Sequence, residues 1–386
     1  MSKSTGLSTG VKSAPSSQAA TKASPSIPKQ IGAKLSGWSK PAKRASHRLQ
    51  WALKQQRLRH SKTPILVGPW YGEVGFEALY WLPFLAKFIS RNGIDPERIM
   101  AISRGGAAAW YHVPHGFELF AMRSPEQIRL ETRLMFAQQG SLKQNTVTPF
   151  DRQILDDCAE TLKLSRYHVL HPQWMYRILG PYWQGVRGPS LMDQEAQFST
   201  LHPPALPAGV VLPPKFIAVR FYARPTFPVS QQTVDFTRET ITQIAKSVPV
   251  VLLNGDLHVD DHLDLMPIKK SMANVLKLSD LAVLTPQNNL AVQSAVLGRA
   301  AAFVGTYGGL AQLALRLGRP VISVCTEFKE TAWGHRHLSE ILAGQLGVPF
   351  HVVRMLDLPV LQQLLPTVVI QGQQTSSVVT PVVANG

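Results

Sequence analysis

From residue 64 onward, short apolar runs alternate with longer stretches in which apolar side chains recur every three or four positions. The runs suit buried strands and the longer spacing suits amphipathic helices. Strands are predicted over 64–67, 98–102, 167–170, 215–221, 249–253, 275–278, 300–304 and 321–324. Helices are predicted over 76–90, 124–139, 150–164, 234–246, 310–317 and 332–346, with another opened by Asn288 or Asn289, and 356–365 closing the body. Alternation of this kind points to parallel sheets and an α/β fold. Between 180 and 214 prolines and aromatics crowd without a period, so this stretch is read as a linker that lines a cleft. Two α/β domains follow, over 63–205 and 206–370.

Charge changes the picture at the N-terminus. The 386-residue chain has a formal charge of +16, yet residues 1–62 hold thirteen Lys and Arg and no Asp or Glu. Ser, Lys, Ala, Thr, Gly and Pro dominate the first forty residues, a composition that cannot bury a core, and 371–386 read the same way. The basic tail is either simply solvated or attracted to an anionic surface, lipid or nucleic acid. Over 43–59, Leu49, Trp51, Leu53 and Leu58 lie among Arg44, Arg48, Lys54, Arg57 and Arg59, a short basic helix that can rest on a membrane or pack on the first domain. Two cysteines, Cys158 and Cys325, leave no disulfide framework and no cysteine zinc site, which suits a reducing, cytoplasmic setting. No apolar run reaches the length of a membrane span, and no secretory leader is evident.

The most informative stretch is 284–324, helix, strand, glycine turn, helix, strand. Gly305, Gly308 and Gly309 let the chain turn sharply and bring backbone N–H groups near a ligand, while the following helix aims its positive end at the turn. Within it the string FVGTYGGLAQLALRLGRPVISV resembles the donor-site segment of GT-B glycosyltransferases, especially lipopolysaccharide heptosyltransferases. Leu317-Gly318-Arg319-Pro320 matches the family's helix stop, Gly309 its turn glycine, and Leu313-Ala314 its helix start. Tyr307, Gly308 and Gln312 stand where that family has Asp, Thr and His. The resemblance implies two Rossmann-like domains facing across a cleft, the second holding a nucleotide sugar through residues of the turn, Gly305, Thr306, Tyr307, Gly308 and Gly309.

Candidate chemistry collects just after strands, where open α/β sheets bind ligands. Glu73, in the loop Gly72-Glu73-Val74-Gly75 after the first strand, can act as general base for an acceptor hydroxyl; alternatively it complements the positive end of the next helix, the role assigned to Glu77. Heptosyltransferases carry a similar acidic loop near the acceptor. Arg220 and Arg224 end the first strand of the second domain and can grip a diphosphate with forked bonds, or be surface arginines. Asn254, Gly255 and Asp256, with Thr285, Gln287 and Asn288, can hydrogen-bond a base or ribose, although turns favour these residue types anyway. His258 and His262 flank Asp260 and Asp261 in what reads as a solvated loop rather than a metal site, and His112 and His115 lie in another loop. Trp174, Tyr176, Arg177, Tyr182, Trp183 and Arg187 can stack sugars or simply pack. No P-loop, nucleophile elbow or G-x-G-x-x-G string occurs.

The expectation is a metal-independent glycosyltransferase without cofactor. It would move a sugar from a nucleotide-sugar donor to a glycan, lipid-linked or other hydroxyl acceptor, in the cytoplasm or peripherally on a membrane, with nucleic acid a less favoured partner. A nucleotide-sugar epimerase-like enzyme and a non-catalytic tethered binding protein are the alternatives.

Overall fold

The computed structural model describes residues 40–140, 143–254, 257, 259, 264–265, 272–328, 333–357, 363–364 and 366. Most of the N-terminal tail, the C-terminal tail, Gly255, Asp256, His258, Asp260, Asp261 and His262 lie outside them. The chain forms two compact units, Met1–Ala45 and Ser46–Gly386. Of the first, 40–45 are described and are helical, opening α1 (Lys40–His60).

Both sheets lie in the second unit and both are wholly parallel. The first has the order β3-β2-β1-β4, from β1 (Ile65–Val67), β2 (Ile99–Ser103), β3 (His115–Glu118) and β4 (His168–Leu170). The second has the order β10-β9-β8-β5-β6-β7. It is built from β5 (Ile217–Arg220), β6 (Val250–Leu252), β7 (Val275–Lys277), β8 (Ala302–Thr306), β9 (Val321–Cys325) and β10 (Phe350–Arg354). Strand order reverses beside β1, which pairs with β2 on one side and β4 on the other, and beside β5, which pairs with β6 and β8. Each reversal opens a crevice beyond the carboxyl ends of the strands. Two switch points therefore bring the loops after β1, β5 and β8 together.

After β1, the helical segments Val74–Phe76, Glu77–Trp81 and Leu82–Asn92 run on as one helix, α2, with a π-turn in the middle and a left-handed glycine, Gly93, at its end. The first sheet also carries α3 (Pro125–Gln139) and α4 (Pro149–Thr161), each opened by a complete capping box, on Ser124 and Thr148. The helix α5 (Gln173–Trp183) leads toward the second sheet, which carries α6 (Gln231–Ala245), α7 (Asn289–Leu297), α8 (Gly309–Arg316) and α9 (Trp333–Leu346).

The stretch read as a linker is stitched to both halves. Gln197 N–H donates to Pro83 O and Leu201 N–H to Arg316 O, while the buried Arg316 guanidinium donates to Ser199 O and Ala78 O. One hydrophobic core runs through the seam, joining Trp70, Phe84 and Ile99 to Phe303, Leu313 and Val321. The helices α2 and α8 meet where a Cβ on Gly75 would lie 3.2 Å from Gly309 Cα and one on Gly309 2.9 Å from Gly75 N. Only glycines let the two loops approach so closely.

Two strands differ from expectation. β3, with sequence HGFE, replaces the loop expected at His115, and β10 follows α9; both are edge strands with little burial, so neither has an apolar signature. The aromatic stretch 174–187 is chiefly packing: Trp174 contacts Trp51, and Tyr176 and Trp183 contact Phe76. As for α1, it packs on the first sheet through the buried Trp51 and Leu58, with Trp51 stacked 5.2 Å from Phe84.

Candidate active site

A cavity of about 170 Å³ lies where the two switch points meet. Its apolar walls are Val74, Phe120, Ile128, Leu290 and Leu310, and four arginines, Arg104, Arg129, Arg220 and Arg224, reach it from both halves. Among the described residues that line it, Glu73 is the one carboxylate. The N-terminus of α8 borders it at Gly309 and Leu310, where first-turn N–H groups have no intrahelical acceptor. Four guanidinium groups and a helix N-terminus around a small apolar cavity make a site for an anion.

The arginines are held in place. Arg220 Nε donates to Asp264 Oδ1 at 2.9 Å and its Nη1 to Gln293 Oε1 at 2.8 Å, while Gln293 donates onward to Asn289 Oδ1. Arg224 reaches across the seam, its Nη2 3.0 Å from Glu73 Oε2. Arg104 Nη1 lies 2.9 Å from Glu77 Oε2, and its other end donates to Gly72 O. Orienting partners of this kind lower the entropy lost when a guanidinium closes on a phosphate.

The two glutamates after β1 are unlike. Glu73 occupies the N-cap of α2 but makes no capping bond, and its carboxylate turns to Arg224. Glu77, expected to do no more than complement the helix end, is fully buried; it accepts from Ser103 Oγ and Tyr111 OH, each at 2.7 Å, and from Arg104. Burial pushes the Glu77 carboxyl up, and Arg104 and the two hydroxyls pull it back. Its role is to hold the wall of the cavity.

The glycine turn is locked against the loop after β5. A Cβ on Gly305 would sit 2.1 Å from Arg220 O, and one on Gly308 2.3 Å from Tyr222 OH. Thr306 Oγ1 accepts from Tyr222 N–H and donates to Tyr222 O. Tyr307 is buried, and that burial pushes its hydroxyl up.

Of the residues picked from sequence, Glu73, Arg220, Arg224 and Gly309 line the cavity, with Gly305, Thr306 and Gly308 shaping its wall. Thr285 and Asn288 instead hold their own turn, Asn288 Oδ1 accepting from Thr285 N–H, and Gln287 donates across to Phe120 O. Asn254 is buried, and among the described residues its Nδ2 has no partner. None of these four is among the lining residues. Arg104 and Arg129 escaped the sequence reading, although Arg104 follows a strand just as Arg220 ends one. Among the described residues no three His, Cys, Asp or Glu cluster as a metal site would need; His115 pairs with Glu97 and His112 packs on His202.

No protein-family description matches the chain, and no curated protein does either. Solved structures do. The chain is similar to heptosyltransferases. Escherichia coli heptosyltransferase WaaC with ADP matches over 76% of this chain and 93% of its own, at 16% identity and a TM-score of 0.37. A glycosyl transferase family 9 protein from Veillonella parvula matches over 77% and 87%, at 11% identity and a TM-score of 0.40. Acinetobacter baumannii MurG matches over 81% and 95%, at 11% identity and a TM-score of 0.31. Likeness at that level assigns no activity, so what this chain does must come from its own residues.

Proposed function

We propose that the cavity holds the diphosphate of a nucleotide-sugar donor and that the protein is a glycosyltransferase. The observation that carries this reading is the convergence of four arginines from both halves, with the N-terminus of α8, around one cavity. Arg104 and Arg129 would close on the diphosphate from the first half, Arg220 and Arg224 from the second. In transfer, the acceptor hydroxyl oxygen bonds to the anomeric carbon as the bond from that carbon to the diphosphate oxygen breaks. The bonding pair leaves with the diphosphate, whose charge the arginines and the helix end take up, and Glu73 receives the acceptor proton. Because arginines carry the leaving-group charge on this reading, turnover is expected to survive a chelator.

The ion pair between Glu73 and Arg224 gives the reaction an order. While it accepts from Arg224, the Glu73 carboxylate is turned away from an acceptor hydroxyl. A diphosphate competes for Arg224 and releases Glu73, so the base is armed only when donor is bound. The test is a thermal-shift panel of nucleotides and nucleotide sugars on the full chain, followed by turnover with the binding donor. A nucleoside diphosphate that stabilises the wild type but not Arg220→Ala supports the reading, and no stabilisation by any nucleotide removes it.

A further inference from the structure

Outside the cleft, α1 carries a face that its packing leaves unused. Trp51 and Leu58 turn inward, yet Leu49 and Leu53, one helical turn apart, stay 63% and 57% exposed. Around them Arg48, Arg57, Arg59 and His60 are exposed as well. Leu53, Arg57 and His60 form one wall of an open groove whose other wall is Arg166, Tyr167 and His168. No carboxylate lines that groove, and among the described residues Arg57 and Arg166 pair with no acid. Among the described residues the buried Nε2 atom of His168 has no partner. Burial, with Lys54, Arg57 and Arg98 close by, holds the His168 ring below the usual histidine range, as expected where cations gather without counter-charge. The sequence before α1 adds further lysines and no acid.

We infer that this face of α1 docks on an anionic phospholipid surface, with lipid phosphates in the groove between Arg57 and Arg166 and Leu49 and Leu53 entering the acyl boundary. Charge alone would suit nucleic acid equally; the two exposed leucines favour lipid, because a bilayer can bury them and a phosphate backbone cannot. Among the described residues no helix is long and apolar enough to cross a membrane, so attachment would be to the surface. The proposal is independent of the cleft chemistry.

The test is sedimentation of the full chain with vesicles of phosphatidylcholine alone or mixed with phosphatidylglycerol. Wild type is expected to bind the mixed vesicles and to be released by salt. Leu49→Ser with Leu53→Ser should weaken that binding at least about tenfold, and Arg57→Glu with Arg166→Glu should do the same while flattening the salt dependence. Both side-chain pairs lie at the surface, so unchanged melting temperatures are expected and checked on the same samples. Wild-type binding by the leucine variant would overturn the proposal by showing that tail charge suffices. So would equal binding to neutral vesicles, or displacement of the wild type and the leucine variant alike by duplex DNA at matched salt.

Discussion

Two ion pairs start four residues apart in the sequence and end in opposite circumstances. In the pair of Glu77 with Arg104 the carboxylate is fully buried in the first half and held by two further hydroxyls, while the guanidinium borders the cavity. The pair of Glu73 with Arg224 joins the two halves at the mouth of the cavity, and the Glu73 side chain is 46% exposed. A buried pair is costly to break from one side, whereas an exposed one contributes little and is easily exchanged for another partner. The first therefore fixes Arg104 in the cavity wall, and the second is the pair that a ligand can exchange.

The largest expected effect comes from breaking the buried pair. Glu77→Ala strands Arg104 and two hydroxyls, and should cost about 3–5 kcal/mol of stability by denaturant unfolding. A loss under about 1 kcal/mol, the range of a solvated helix-end charge, would mean that the pair holds nothing.

A second contact across the seam sharpens the contrast through pH. His335, on α9, packs against Phe76 and Tyr80 of α2 with its Nδ1 2.6 Å from Tyr80 OH. Burial, with Lys143 and Arg224 adding to it, lowers its pKa from 6.5 to about 4. A histidine depressed in the folded state stabilises above its unfolded pKa, and that stability drains away as pH falls through the folded value. Stability should therefore decline between pH 6.5 and about 4, by roughly 3 kcal/mol if the whole shift is expressed. In His335→Gln, which keeps an acceptor for Tyr80, this part of the decline should vanish. An unchanged pH profile would place the titration elsewhere.

Glu73→Gln tests the exposed pair. It keeps the shape and removes the basicity, so turnover should fall at least about a hundredfold with little change in melting temperature. Affinity for a nucleoside diphosphate should hold or rise, because the Glu73 carboxylate no longer competes for Arg224. Near wild-type turnover would show that the base lies elsewhere.

The same contrast explains what the sequence could show. Strands buried on both faces, such as β1, β5, β8 and β9, stand out as unbroken apolar runs. The half-exposed edge strands β3 and β10 have no such run, and pairing on one side only gave them no pattern to find. Glu73, Arg220 and Arg224 stand out because they follow strands, a property of local sequence. Arg104 obeys the same rule but is followed by Gly105-Gly106 and reads as a turn. Arg129 has no local signal, since it comes from the flank of α3. Glu77 was misread because Ser103, Arg104 and Tyr111, which bury its charge, lie 26 to 34 residues away.

The central claim is that Arg220 and Arg224 bind one diphosphate in the cavity. Calorimetric titration of a nucleoside diphosphate into wild type, Arg220→Ala and Arg224→Ala measures it most directly. Charge-assisted bonds of this kind contribute about 1.5–3 kcal/mol each, so each variant should bind roughly ten- to a hundredfold more weakly with its melting temperature nearly unchanged. Equal affinity in all three proteins would contradict the account.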